Sequence, residues 1–323
     1  MNKTGLMFGA ASVALVSGAS GLRAECGEVT ITMMDWASAQ VVTSVATFLM
    51  ENGYGCQVTD MPSAANVALT SVAETGRPDI LTEIWPQSTS ALEPLRAAGK
   101  VTVAADVLSD GGIEGWYVPK YLVDAHPELA TIEGLVAHPE MVGGIFNNCP
   151  EGWTCKTTNA NLIKAAGFDS AKMKDFVHGS SETLATSLAS AYEDKKPWIG
   201  YYWEPTALLG RYEMVQIDLG GYNAEGYACD KTPECANPVL SNYPKANVVT
   251  VVTNSLKDRE PEVFDLMSNV TFTNEQMGAI LAWKEDNNAS GEEAAVFFLT
   301  TYKDVWGGWL NDAAREKLSA LLQ

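Results

Sequence analysis

The stretch "EVTITMMDWASAQVVTSVATFLM", residues 28–50, carries the pattern that decides the fold class. Its first seven residues, Glu28–Met34, alternate between polar and apolar side chains, which predicts a β-strand. From Ser38 to Met50 the apolar residues recur at helical spacing, and Gly53 then provides a helix stop. A second strand-like run, "CQVTDM" at residues 56–61, follows. A strand, a helix and a strand in this order predict α/β layers.

The same alternation continues along the rest of the chain. Further strands are expected at Asp79–Ile84, Met141–Phe146, Pro197–Trp203 and Asn247–Thr253. Helices are expected at residues 66–75, at residues 159–166, from Thr206 onward, and over most of the sequence after Glu262.

The length of 323 residues is sufficient for two lobes of ordinary domain size. No segment rich in Pro, Gly or Ser separates them, so we expect strands that cross between the lobes, near Gly111–Val118 and near Val215–Tyr222. On this division the first lobe comprises residues 25–112 and 217–323, and the second lobe comprises residues 113–216.

The N-terminus has the pattern of a secretory signal. Lys3 supplies the positive start, an apolar run extends from Gly5 to Val16, and "LRA" predicts cleavage after Ala24. The apolar run is too short to span a bilayer, and no later run is long enough to do so. We therefore expect residues 1–24 to be removed and the protein to be exported.

The mature chain is expected to be strongly acidic. The full sequence has 40 Asp and Glu residues against 21 Lys and Arg residues, a net charge of −19. Such a charge disfavours binding to nucleic acid or to an anionic membrane.

Six cysteines in an exported chain indicate disulfides, for which about 15 complete pairings exist. Spacing favours Cys149–Cys155 and Cys229–Cys235, which leaves Cys26–Cys56. The cysteine and histidine spacings match no metal site, so we expect none. Asp230 and Glu234, inside "CDKTPEC", could bind a Ca²⁺ ion, but a disulfide hairpin is the favoured interpretation of this segment.

Four of the nine tryptophans occur where a predicted strand gives way to a loop or helix: Trp36, Trp85, Trp153 and Trp203. In an open α/β sheet the ligand crevice lies outside the carboxyl ends of the strands, so these indoles are expected to face one cleft. We interpret four of the remaining tryptophans as packing residues: Trp198, Trp283, Trp306 and Trp309.

Several indole faces around one cleft favour a cation that has no N–H donors. Cation–π contacts contribute roughly 0.5–2 kcal/mol each, and tryptophan is the strongest partner. Hydrated cations cannot shed their water in a dry aromatic box, so such a box selects a methylated ammonium.

Sugars are the competing ligand class, because sugar rings also stack on tryptophan. A sugar site should carry polar side chains that bind hydroxyl groups. Arg is absent from the loops around the four tryptophans, but acids and amides occur there: Asp35, Glu83, Asn147, Asn148, Glu151 and Glu204.

No catalytic motif is present. The sequence has no G-x-S-x-G elbow, Walker loop, dinucleotide fingerprint or H-E-x-x-H motif. "HGSSET" at residues 178–183 brings His and Ser together in sequence, but a triad also needs an orienting group. We therefore expect a binding protein without a cofactor rather than an enzyme.

The chain resembles the substrate-binding proteins of ABC importers for glycine betaine and choline (the OpuAC type) over essentially its whole mature length. The resemblance rests on five segments in order: "MDWASAQ" (34–40), "EIWPQS" (83–88), "EGWYVP" (114–119), "GIFNNCPEGWTC" (144–155) and "GYYWEPTALLGRYEMV" (200–215).

This resemblance implies a two-lobed periplasmic binding protein fold of type II. Each lobe would be a sheet flanked by helices, with the ligand cleft between the lobes. It also implies a monomer in the periplasm that delivers a small methylated amine to an ABC permease in the inner membrane.

The resemblance also implies which residues form the site. Trp36 and Trp85 would come from the first lobe, and Trp153 and Trp203 from the second. Tyr117 matches a position where some relatives place a box tyrosine, and Trp116 beside it is a weaker candidate.

One departure from the family pattern reduces the number of candidate ligands. Choline-binding relatives place an acid where this chain has Ser38, which disfavours choline. Glycine betaine stays open, because the loop at Thr154 leads into a helix whose N–H groups could bind a carboxylate.

A smaller ligand suits four indoles better, and the chain resembles the trimethylamine N-oxide-binding proteins of marine bacteria. Glu83 and Glu204, each close to a box tryptophan in sequence, are weaker candidates for the polar wall. A solvated strand end for Glu83 and a helix N-terminal position for Glu204 are the favoured interpretations.

Overall fold

The computed structural model describes residues 26–323. The predicted signal peptide, residues 1–24, lies outside the described residues. The described part of the chain forms nine strands: β1 (Glu28–Met33), β2 (Gln57–Pro62), β3 (Ile80–Ile84), β4 (Val101–Pro119), β5 (Ile145–Asn148), β6 (Lys174–Val177), β7 (Ile199–Glu204), β8 (Met214–Gln216) and β9 (Ala246–Thr253).

Sixteen α-helices accompany the strands within residues 26–323. They are α1 (Ala37–Leu49), α2 (Ala65–Thr75), α3 (Leu92–Ala97), α4 (Lys120–Ala125), α5 (Ile132–Ala137), α6 (Cys155–Ala165), α7 (Ser181–Glu193), α8 (Ala207–Arg211), α9 (Ala224–Asp230), α10 (Asn254–Arg259), α11 (Pro261–Asn269), α12 (Asn274–Asp286), α13 (Gly291–Thr301), α14 (Lys303–Gly307), α15 (Asp312–Lys317) and α16 (Ser319–Leu322). None of these helices is long and apolar enough to cross a membrane.

The long strand β4 joins two sheets. The strand order is β2-β1-β3-β9-β4-β7-β5-β6, and β8 pairs with the end of β4. Residues 101–112 of β4 pair with β9, whereas residues 113–117 pair with β7. We call the elements around β1, β2, β3 and β9 the first lobe, and those around β5, β6, β7 and β8 the second lobe. The predicted α/β fold is therefore present, and β4 changes its pairing partner from β9 to β7 between Gly112 and Ile113.

One predicted strand is displaced. We expected a strand at Met141–Phe146, but residues 139–142 form a 3₁₀ turn and β5 begins at Ile145. Gly143 and Gly144 both have positive φ, 87° and 65°. Two consecutive left-handed residues turn the chain, so extended pairing starts only after them.

The segment between β8 and β9 packs on the second lobe. The Asn161 side chain donates to the carbonyls of Asp230 and Thr232, at 2.8 and 2.9 Å. The Tyr243 hydroxyl donates to Asn159, at 2.6 Å. We therefore propose that the chain returns to the first lobe at Ala246, where β9 begins, rather than near Gln216.

Each lobe has its own aromatic core. In the second lobe Trp116 packs against Phe146 and Phe168, with ring centroids 4.5 and 5.3 Å apart. In the first lobe Phe272 packs against Phe298 at 4.8 Å. The four tryptophans interpreted as packing residues do not line the cleft. Trp283 and Trp309 pack against Phe297 and Phe272. Trp198 donates to the Ser187 hydroxyl, and Trp306 donates to the Leu299 carbonyl.

Three disulfides are present, in the pairing that spacing favours: Cys26–Cys56, Cys149–Cys155 and Cys229–Cys235. The first ties the start of β1 to the start of β2. The second closes the loop between β5 and α6, which carries Trp153.

Candidate functional site

The four strand-end tryptophans converge between the lobes. They line one small pocket between the lobes. The complete lining comprises Trp36, Ala65, Trp85, Glu114, Trp153, Thr154, Cys155, Tyr201 and Trp203.

Three of the four indoles pack against one another. Trp153 stands between Trp36 and Trp203, with both ring centroids 5.1 Å away and interplanar angles of 70° and 78°. All four box tryptophans are buried, with at most 7% of the surface exposed. Edge-to-face packing of this kind fixes ring orientation and leaves indole faces available to the pocket.

Trp36 is held by a buried acid. It lies between β1 and α1, and its indole Nε1–H donates to Glu83, which also accepts from Ser38 at 2.9 Å. Glu83 is completely buried, so the expectation of a solvated strand end was wrong. Burial raises the pKa of Glu83 to about 7, although the two donated hydrogen bonds act in the opposite direction.

Trp85 depends on a glycine of the crossing strand. It follows β3 directly, and its ring lies against the backbone of Gly112 in β4. A Cβ atom at Gly112 would lie 2.3 Å from Cη2 of Trp85, closer than atoms can pack. Glycine at this position therefore permits the close approach of β4 to the box.

Trp153 projects from the disulfide-closed loop. Its indole Nε1–H donates to Asp35 of the first lobe, at 2.8 Å. Thr154 and Cys155, the next two residues, also line the pocket. Because α6 begins at Cys155, the positive end of this helix lies at the pocket wall.

Trp203 and Tyr201 lie on β7, two residues apart, and so share one face of the strand. Tyr202 stacks on Trp203 with ring centroids 4.7 Å apart. Tyr201 lines the pocket and donates its hydroxyl to Glu114, at 2.7 Å.

Glu114 is a lining residue that the sequence analysis did not single out. Its carboxylate accepts hydrogen bonds from Gln87, from Ser88 at 2.6 Å, and from Tyr201. Burial raises the pKa of Glu114, and the three donors oppose this shift. The sequence could have indicated Glu114, because it is a lone acid in the apolar run of a strand predicted to cross between the lobes.

Four of the predicted site residues lie outside the pocket lining: Tyr117, which was predicted as a box residue, and the weaker candidates Glu83, Trp116 and Glu204. Trp116 donates to Asn159 at 2.8 Å and belongs to the second-lobe core. Tyr117 is buried on the opposite face of β4 from Glu114. Glu204 pairs through its backbone with Ile113 and is not part of the lining either. Thr154 is the weaker candidate that does line the pocket.

The charge of the lining favours a cationic group. Glu114 is acidic, and none of the nine lining residues is Lys or Arg. Among residues 26–323 no group of three or more His, Cys, Asp or Glu side chains is arranged to hold a metal ion. The pocket therefore combines aromatic faces, one buried carboxyl group and the N-terminus of one helix.

Solved structures of low sequence identity share the fold. One is the glycine betaine, L-proline ABC transporter binding protein (ProX) of Borrelia burgdorferi: 15% identity, TM-score 0.74, covering 92% of this chain and 100% of that one. Another is an ABC-transporter choline binding protein in complex with choline: 19% identity, TM-score 0.73, with coverages of 92% and 98%. A third is lactococcal OpuAC, closed and complexed with glycine betaine: 18% identity, TM-score 0.67, with coverages of 88% and 100%. These likenesses confirm the two-lobed fold of periplasmic binding proteins.

A family model matches most of the chain. It is described as the substrate binding domain of the ABC-type glycine betaine transport system (OpuAC), and the match extends over residues 27–301. The chain therefore belongs to this family of substrate-binding domains.

Proposed function

We propose that the protein binds trimethylamine N-oxide in the tryptophan box and delivers it to an ABC permease. The observation that carries the proposal is the lining itself: four indoles, one buried carboxyl group and no basic side chain. On this proposal residues 1–24 direct export to the periplasm, and the protein acts as a monomer by binding rather than by catalysis.

The methylated nitrogen would be held by the indoles. Trp36, Trp85, Trp153 and Trp203 approach the pocket from both lobes, so a trimethylammonium group would meet an aromatic face on several sides. Each such contact contributes roughly 0.5–2 kcal/mol. Glu114 adds a negative group at the pocket wall without a competing cation.

The ligand oxygen would lie at the start of α6. Thr154 and Cys155 present the N-terminal end of this helix to the pocket, where N–H groups and the helix dipole favour a negative atom. Trimethylamine N-oxide needs only one small polar wall of this kind, whereas the rest of its surface is methyl groups.

Choline and glycine betaine are the alternative ligands of the same class. Choline is favoured by the acidic group in the lining, because it carries a net positive charge. Glycine betaine carries a carboxylate that would lie near Glu114 with no Lys or Arg in the lining to offset it. Both are among the ligands named for solved structures of the same fold.

Binding would proceed by lobe closure. Trp36 and Trp85 belong to the first lobe, Trp153 and Trp203 to the second, so neither lobe alone completes the box. Hinge closure around a ligand is typical of periplasmic binding proteins, and here the hinge would include β4. The closed form is then the one presented to the permease.

A calorimetric panel tests the proposal. Trimethylamine N-oxide, glycine betaine, choline and carnitine are titrated into the purified protein, with glucose and maltose as controls for the sugar class. We expect trimethylamine N-oxide to bind most tightly and to quench or shift tryptophan emission. Tighter binding of choline or betaine would replace the proposed ligand, and binding of a sugar alone would overturn the aromatic-cage assignment.

A further inference from the structure

Asp35 makes two hydrogen bonds, and both cross from the first lobe to the second. It follows β1 and precedes Trp36 in the first lobe. Its Oδ1 accepts from the indole Nε1–H of Trp153, at 2.8 Å, and its Oδ2 accepts from the backbone N–H of Ser181, at 3.0 Å. Each carboxylate oxygen is therefore engaged by the opposite lobe.

The Ser181 N–H is available to Asp35 because of the way α7 begins. Ser180 and Thr183 form a capping box, which uses the backbone N–H groups of those two residues. Ser181 is the first residue of the 13-residue helix, so its N–H has no acceptor within the helix. A carboxylate at this positive end is favoured by charge as well as by the hydrogen bond.

A second contact from the first lobe holds the disulfide-closed loop that carries Trp153. The Asn66 backbone N–H donates to the carbonyl of Gly152, at 3.2 Å, and the Asn66 side chain donates to the carbonyl of Trp153, at 3.4 Å. Trp153 is thus contacted by the first lobe at its indole and at its backbone. Its ring orientation in the closed box depends on residues that reach it only when the lobes meet.

We propose that Asp35 is a latch: a positioning residue that joins the lobes in the closed form and orients Trp153 over the ligand. This inference rests on the proposed function, because it assumes that closure traps a ligand. Asp35 does not line the pocket, so it would act through Trp153 and through the closing equilibrium rather than by touching the ligand. Loss of Asp35 would therefore change the dissociation rate of the ligand more than its association rate.

Four variants separate this role from a general loss of structure. Asp35→Ala removes both acceptors. Ser181→Pro removes the backbone N–H that donates to Asp35 and also exchanges the serine side chain, and proline is tolerated at the first position of a helix. The preceding Ser180 has φ −160° and ψ 169°, an extended conformation that suits a residue before proline. The third variant combines both changes, and Glu151→Gln is the control, since it neutralises an exposed acid that pairs with Lys156 of the same lobe.

The measurement is stopped-flow tryptophan fluorescence with trimethylamine N-oxide. We expect Asp35→Ala to speed dissociation at least about 10-fold, since hydrogen bonds to charged groups are the stronger class. Ser181→Pro should speed it about 3- to 10-fold, and the double variant should be no faster than Asp35→Ala. Association rates, the melting temperature of the ligand-free protein and the behaviour of Glu151→Gln should stay close to wild type.

Three results would each overturn the latch. The dissociation rate could be unchanged in Asp35→Ala, or Ser181→Pro could speed dissociation equally in the presence and in the absence of Asp35. Glu151→Gln could also speed dissociation as much as Asp35→Ala does. If trimethylamine N-oxide does not bind the wild type, the proposed ligand fails instead. The same variants are then measured with whichever of choline, glycine betaine or carnitine binds, so that the two ideas are judged separately.

Discussion

Replacing Glu83 with glutamine should change how the stability of this protein depends on pH. Glu83 is fully buried beneath the box and accepts hydrogen bonds from the Trp36 indole and the Ser38 hydroxyl. Glutamine has nearly the same shape, can accept from the indole through its oxygen, and cannot ionise. The variant Glu83→Gln therefore removes one titration while keeping Trp36 in place.

The size and sign of the effect follow from the raised pKa of Glu83. Burial raises it from 4.5 to about 7. Below pH 4.5 the folded and unfolded states both carry the proton. Between pH 4.5 and 7 the folded state keeps the proton that the unfolded state has lost, so stability falls as pH rises. Each pKa unit corresponds to 1.36 kcal/mol, so the wild type should lose about 3 kcal/mol relative to the variant across this window.

Urea unfolding at pH 5, 6, 7 and 8 measures this difference. The free energy of unfolding of wild type minus that of Glu83→Gln should decline from pH 5 to 7 and then level off. Glu151→Gln, at an exposed acid, is the control for the loss of one charge. A difference that stays flat between pH 5 and 7 would show that Glu83 does not hold its proton in the folded protein.

Three further predictions concern the box. Trp153→Ala should weaken trimethylamine N-oxide binding by roughly 1–3 kcal/mol through lost cation–π contact and packing, and unchanged affinity in calorimetry would remove Trp153 from the site. Gly112→Ala should displace Trp85 and destabilise the fold by about 1–3 kcal/mol in thermal unfolding, whereas Gly179→Ala, with no atom within 4 Å of the added Cβ, should have little effect. Glu114→Gln should weaken choline binding at least about 10-fold, equivalent to about 1.4 kcal/mol, and equal choline affinity for the two proteins in calorimetry would contradict a charge role for Glu114.

Much of the framework was predictable from local pattern. Period-two alternation located β1, and a β-branched run located β9, each within one residue of the structure. The observation that four tryptophans lie at or just after predicted strand ends was enough to expect them in one cleft, because topology brings such ends together. The displaced start of β5 could also have been foreseen, since Gly143 and Gly144 interrupt the predicted strand.

Other features depended on contacts that sequence spacing does not show. The segment 217–245 packs on the second lobe through polar contacts such as that between Tyr243 and Asn159, and its local pattern carries no trace of them. Tyr117 illustrates a different difficulty. Strand alternation places it on the opposite face of β4 from Glu114, but which face meets the cleft is decided only by the pairing with β7.

The position of Glu114 on the crossing strand bears on how binding and closure are connected. Its partners come from both lobes, since Gln87 and Ser88 follow β3 whereas Tyr201 lies on β7. When the lobes are apart, water must replace at least one of these donors. When they close, a buried carboxyl group is left with protein donors alone, and burial raises its pKa.

A methylated cation in the box would offset the cost of burying the Glu114 carboxylate, because it favours the ionised form. Closure around a cation should therefore be easier than closure of the empty box, and Glu114→Gln should reduce this difference. Small-angle scattering of wild type and Glu114→Gln, with and without saturating choline, measures it: an equal ligand-induced compaction in both proteins would mean that Glu114 does not couple the ligand to closure.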